Sequence, residues 1–122
     1  MNAVVLNYQD KLVKVRTDVG IFEGVWCSDQ PAEYRHYDLE LACDDVIEQD
    51  ELQYSGVSTP FINNDENGVI VNCLLEEIED CVMFLRFFGD LLMLEISPLS
   101  SFSRYIGHYV RIRLSKIQMY AI

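Results

Sequence analysis

Residues 69 to 97 hold three nearly continuous apolar runs, "VIVNCLLEE" (69 to 77), "CVMFLRFF" (81 to 88) and "LLMLEIS" (91 to 97). Only the acidic turn Ile78-Glu79-Asp80 and the pair Gly89-Asp90 separate them. Runs of this length, rich in β-branched and aromatic residues and joined by such short turns, read as three consecutive strands. Gly-X suits a two-residue hairpin. Alternation of polar and apolar residues, expected of a sheet with one face in water, is nearly absent. The three strands are therefore expected to be buried on both faces or to meet another subunit.

The rest of the chain repeats the strand signal in its half-buried form. Val13 and Val15 alternate with Lys14 and Arg16, a period of two. "VGIFEGVWC" (19 to 27) carries aromatic and β-branched residues, with glycines that allow a bend or bulge. In "HYDLELAC", Tyr37, Leu39, Leu41 and Cys43 share one face while His36, Asp38 and Glu40 share the other. Asn67-Gly68 is a strong turn signal, and Val110, Ile112 and Leu114 point inward between Tyr109, Arg111 and Arg113. Short helices are expected at 98 to 107 and at 44 to 54, where Asp45 and Glu48 have capping-box spacing, although a charged loop fits the second segment equally. At 122 residues the chain is expected to be one domain with its own core. The expected fold is mainly β: a twisted antiparallel sheet forming a partly open barrel or sandwich of about six or seven strands, with one or two short helices. Val13, Val15, Ile21, Leu39, Leu41, Val71, Phe84, Leu94, Ile112 and Leu114 are its expected core.

Two segments resemble each other, "RHYDLELACDDVI" (35 to 47) and "GHYVRIRLSKIQM" (107 to 119). Their outward charges are opposite, Asp38 and Glu40 against Arg111 and Arg113. Neighbouring strands of this kind would gain cross-strand pairs worth roughly 0.2–1 kcal/mol each. Any two half-buried strands look alike, however, and that simpler reading is preferred.

Few residues invite catalysis. His36 and His108 are the natural general bases, but each simply precedes a tyrosine at a strand start, and no nucleophile, zinc or phosphate-loop motif accompanies them. The stretch Asn63 to Gly68 has alternating oxygen side chains like the start of a calcium loop. Its twelfth position, however, is Leu74 where a glutamate is needed. The cysteines at 27, 43, 73 and 81 lack C-x-x-C spacing and sit in apolar stretches, as buried structural thiols do. No metal or cofactor is expected, and no catalytic residue.

Charge is the informative feature. From Asp18 to Asp80 there are seventeen acidic residues and one basic residue, Arg35, whereas the flanking segments sum to +2 and +3. Such a field attracts a cationic partner and repels nucleic acid and anionic membrane. No run is long enough for a membrane span, and Asp10 and Lys11 interrupt any leader core, so a cytoplasmic location is expected. The carboxylates cluster at Asp44, Asp45, Glu48, Asp50 and Glu51, and again at Glu76, Glu77, Glu79 and Asp80. With Tyr54 as an aromatic anchor, these residues are the expected binding face.

A small, strongly acidic, β-rich chain with few lysines resembles the bacterial immunity proteins of polymorphic and contact-dependent growth inhibition toxins. The closing pattern "SPLSSFSRYIGHYVRIRLSKIQMY" is similar to the ends of small bacterial proteins found with such toxins. The resemblance is one of overall profile. It implies tight binding of a cognate toxin domain, often a basic nuclease, to block its active site or substrate groove, and it assigns no residue. A non-enzymatic inhibitor is expected, its oligomeric state open with a monomer favoured. Two other classes fit less well: an acidic secretion chaperone, which depends on long amphipathic helices, and a small ligand-binding barrel or enzyme.

Overall fold

The computed structural model describes residues 1 to 98 and 100 to 122. It is mainly β, as expected, and among the described residues the strands number twelve. They are β1 (Asn2–Gln9), β2 (Leu12–Thr17), β3 (Gly20–Trp26), β4 (His36–Ala42), β5 (Val46–Ile47), β6 (Leu52–Tyr54) and β7 (Phe61–Asp65). β8 (Gly68–Glu79), β9 (Val82–Phe87), β10 (Asp90–Ile96), β11 (Tyr109–Leu114) and β12 (Gln118–Ala121) complete the chain. The helices expected at 98 to 107 and 44 to 54 are single 3-10 turns, Ser103–Tyr105 and Gln49–Glu51. Residue 99, within the first of these segments, lies outside the described residues. The capping box does form, but three residues later than its spacing suggested: the Glu48 N–H donates to the Glu51 carboxylate at 2.8 Å.

Five strands close a barrel in the order β1-β2-β3-β12-β4. The others form an open sheet, β5-β10-β9-β8-β11-β6, with β7 also on β8. The two sheets are built alike. In each, a three-strand meander (β1-β2-β3 and β8-β9-β10) is followed by a strand that returns antiparallel to the first, β4 on β1 and β11 on β8. The meanders superpose in sequence at a constant offset of 70, since β2 and β3 span 12–17 and 20–26 while β9 and β10 span 82–87 and 90–96. The bulge between Val5 and Asn7 recurs between Leu75 and Glu77. Asp10 and Asp80 occupy the same left-handed turn position, at φ 55° and 50°. Tyr34 and Gly107 share another, at 61° and 85°, and donate their N–H groups to Val5 O and Leu75 O, both at 2.7 Å. The chain is therefore an internal structural repeat.

The fifth strands are exchanged between the halves. β12 follows β11 yet pairs in parallel with β3, Met119 beside Trp26. β5 follows β4 yet pairs in parallel with β10, Ile47 beside Ile96. The corresponding bonds are Cys27 N–H to Met119 O (2.8 Å) and Ser97 N–H to Ile47 O (3.0 Å). The two look-alike segments, 35–47 and 107–119, contain the equivalent strands β4 and β11, one in each sheet. They are not neighbours, so Asp38 and Glu40 do not face Arg111 and Arg113.

Inward residues of both sheets form one core, including Val5, Val13, Phe22, Leu39, Ile47, Leu75, Leu85, Phe87, Leu94, Ile112, Ile117 and Met119. Eight of the ten expected core residues are buried; Ile21 is exposed and Phe84 half-buried. Both lie on outer faces, because their neighbours Phe22 and Leu85 take the inward positions of a two-residue period. Two glycines are required by contact. A Cβ at Gly24 would stand 2.8 Å from the Ile117 carbonyl oxygen, where β12 crosses β3. Gly68 has φ +137°, and a Cβ there would overlap the Leu114 carbonyl oxygen. Gly68→Ala is therefore expected to cost about 2–4 kcal/mol, read as a lowered urea midpoint with an unchanged m-value.

The Met1 amine is held between the halves. It donates to Asp90 (2.8 Å), Asp38 (2.9 Å) and the Leu39 carbonyl (2.9 Å). Burial opposes its charge, but the bonds to Asp90 and Asp38 outweigh that and raise its pKa above the ordinary 8.0. A raised folded-state pKa gives stability that is full below about pH 8 and fades as pH climbs through the folded value. With a free Met1 amine, Asp90→Asn should destabilise the chain at pH 7 and by progressively less above pH 8. A gap that stays constant to pH 11 in urea unfolding would contradict this.

Candidate protein-binding face

Ladder register explains how distant acids meet. Across the open sheet Val46 lies beside Glu95, Glu95 beside Val82, and Val82 beside Glu79. The next row runs Met93, Phe84, Glu77, and the next Leu91, Arg86, Leu74. These side chains alternate with the buried Met83, Leu85, Leu92 and Leu94, so they share the outer face. Three inter-strand steps separate β5 from β8, about 15 Å. Asp44, next to β5, and Glu77 and Glu79, at the end of β8, thus border one surface although more than 30 residues separate them.

The centre of that surface is apolar. Met93 is 56% exposed, Leu91 40%, and Phe84 and Val82 are half-buried. Glu40, Cys43 and Tyr120 of the barrel side line a groove of about 380 Å³ together with Leu91 and Met93. A second hollow brings Cys43 and Asp44 against Val82, Met93 and Glu95. Arg86, the cation in these rows, is taken up by Glu76 at 3.0 Å.

The ten expected binding residues do not form one patch. Asp44, Glu76, Glu77 and Glu79 surround this outer face, and Asp80 occupies the β8–β9 turn beside it. Asp50 and Glu51 lie at the other end of the sheet, in a hollow of about 320 Å³ with Gln53, Ile70, Arg111 and Arg113. Of the two arginines there, Arg113 is already paired with Asp65, which leaves Arg111 beside these two acids. Tyr54 is at the β6 edge, stacked on Tyr105 (centroids 4.5 Å) and edge-on to His108 (5.4 Å). Asp45 is structural: its carboxylate accepts from Ser115 N–H (2.7 Å) and Oγ (2.6 Å), holding the β11–β12 turn. Asp44 accepts from Gln118 Nε2 at 2.9 Å, while Glu48 belongs to the 3-10 turn. Sequence reasoning missed Glu95, Leu91 and Met93, which join this surface because β10 lies between β5 and β9.

Elsewhere, two buried side-chain polar atoms among the described residues lack a hydrogen-bond partner, Asn72 Oδ1 and Arg111 Nε. Arg113 pairs with Asp65, a bond that holds the carboxyl below and the guanidinium above their ordinary values. Cys73 is buried, and burial pushes the Cys43 thiol up to about 11, so both stay protonated at neutral pH. Cys27 and Cys81 are exposed, contrary to the expectation of four buried thiols. Cys81 is outward because it forms the β8–β9 turn, at φ 61°. Among the described residues no three His, Cys, Asp or Glu side chains are grouped to hold a metal, and no helix is long and apolar enough to cross a membrane. Comparison with protein-family models, curated proteins and solved structures finds no match.

Proposed function

We propose that this chain is an immunity-type inhibitor: it acts in the cytoplasm by binding a cationic protein, a cognate toxin domain of basic, nuclease-like surface, and blocking it by occupancy. One observation carries this reading. Carboxylates from two distant sequence clusters, Asp44 and Glu77/Glu79, surround an exposed apolar row together with Glu95. A groove that holds phosphates must be positive. Carboxylates can pair with its lysines and arginines, while apolar side chains supply the desolvated centre that sets residence time.

The test is to express the protein encoded by the neighbouring gene, alone and with this chain. The reading predicts growth arrest relieved by co-expression and a purified complex whose association rate falls steeply with salt. A neighbour that is harmless, and that this chain merely keeps unfolded for export, would point to a secretion chaperone instead.

A further inference from the structure

The two halves provide an internal control for which outward residues the fold itself needs. At the offset of 70, Lys14 and Glu23 of the first repeat correspond to Phe84 and Met93 of the second. Both pairs are opposed across the same hairpin. The meander therefore accommodates a solvated Lys–Glu pair at this position, and folding does not require an aromatic ring and a thioether there. The equivalents of the half-buried Val82 and the exposed Leu91 are Leu12 and Ile21, exposed at 46% and 49%. In the first repeat the charged pair interrupts them. In the second, Phe84 and Met93 join them into one apolar strip, extended by the groove to Tyr120. Isolated exposed apolar residues are ordinary; a contiguous patch with a polar rim marks an interaction surface.

We infer that this strip, Phe84, Leu91 and Met93, is the anchor of a docking surface for a cationic protein segment with apolar residues at its centre. The inference rests on the reading that the partner is a cationic protein, and it assigns the anchoring residues. Charge decides the occupant. Glu40, Asp44, Glu77, Glu79 and Glu95 border the strip, and Arg86 is already paired with Glu76. A second copy would bring the same carboxylates against themselves, in a chain of net charge −11. Like charges juxtaposed at an interface are strongly unfavourable. A segment whose lysines or arginines flank apolar side chains matches both the centre and the rim.

The probe is a synthetic strand peptide alternating Leu and Lys, with a Leu/Glu peptide of equal length as its counterpart, titrated into the labelled full chain while amide shifts are followed. The Leu/Lys peptide should shift β9 and β10 amides, 82 to 95, and the Leu/Glu peptide should bind at least tenfold more weakly. Phe84→Lys with Met93→Glu, which installs the first repeat's pair, should keep the unfolding midpoint and weaken Leu/Lys binding at least tenfold. Glu77→Gln with Glu95→Gln should weaken it severalfold and flatten its salt dependence. If only the carboxylate variant weakens binding, the apolar anchor is wrong and the charge reading stands. If neither does, both fail. Equal binding of the two peptides, or wild-type shifts confined to 50–53 and 111–113, overturns the assignment without recourse to any variant. Concentration-dependent dimerisation abolished by the Phe84/Met93 change would make a second copy the occupant and also overturn it.

Discussion

A chain ending at Ser115 is expected to lose cooperative folding altogether. The seven missing residues look dispensable in sequence, yet they carry β12, which closes the barrel of the other repeat. β12 bonds in parallel to β3 and antiparallel to β4, and Ile117 and Met119 are both fully buried. Emptying two such sites costs about 2–5 kcal/mol each. The loss also exposes two strand edges. A domain of this size is stable by only about 5–15 kcal/mol in total. Trp26, the single tryptophan, pairs with Met119 and is 2% exposed, so its fluorescence reports the site directly. The truncated chain should show red-shifted emission without denaturant and no sigmoidal urea transition. A cooperative transition near the full-length midpoint would mean that the exchange of fifth strands is not what holds the barrel.

The second large effect concerns association. Reversing Asp44, Glu77, Glu79 and Glu95 to lysine should slow binding of the cationic partner by about 10–1,000-fold at low ionic strength, the range over which focused fields act. The two proteins should converge as the Debye length shrinks to ~3 Å near 1 M salt. Stability should fall only slightly: Glu77, Glu79 and Glu95 are exposed and form none of the ion pairs among the described residues, and Asp44 gives up one exposed bond, from Gln118. Asp45 is deliberately left in place. Its two bonds to Ser115 tie the turn that delivers β12, so its reversal would confuse folding with binding. Reversing Asp50 and Glu51, half as many charges, should change the logarithm of the rate by much less than half as much. Stopped-flow rates across a salt series separate these outcomes.

The fold class was legible because strand signals depend on local period and turn chemistry. Val13/Val15, Leu39/Leu41 and Ile112/Leu114 point inward as their alternation requires. Alternation fails where both faces are apolar. In "CVMFLRFF" nothing local distinguishes Phe84 from Leu85, and the expectation of burial on both faces or at a subunit contact left the outer face undecided. The likeness of 35–47 to 107–119 is visible in the sequence, but half-buried strands are generically alike, so it does not by itself reveal a repeat. Register shows that β4 and β11 correspond at an offset of 73, one residue from the offset of 72 that aligns the two His-Tyr pairs. The meanders share mainly buried apolar character and a few polar matches such as Asp10/Asp80 and Arg16/Arg86, which local reading does not detect. The site was half legible for the same reason. Charge counts found the carboxylates, but only sheet order places Asp44 beside Glu95 and Glu77 beside Phe84.

Hydrogen exchange of the chain in complex with its cationic partner tests the assigned face most directly. Protection on binding should be concentrated in β9 and β10, residues 82 to 95, and around Asp44. The hollow formed by Asp50, Glu51, Arg111 and Arg113 should exchange as it does in the free chain. Protection centred on that hollow, with β9 and β10 unchanged, would contradict it.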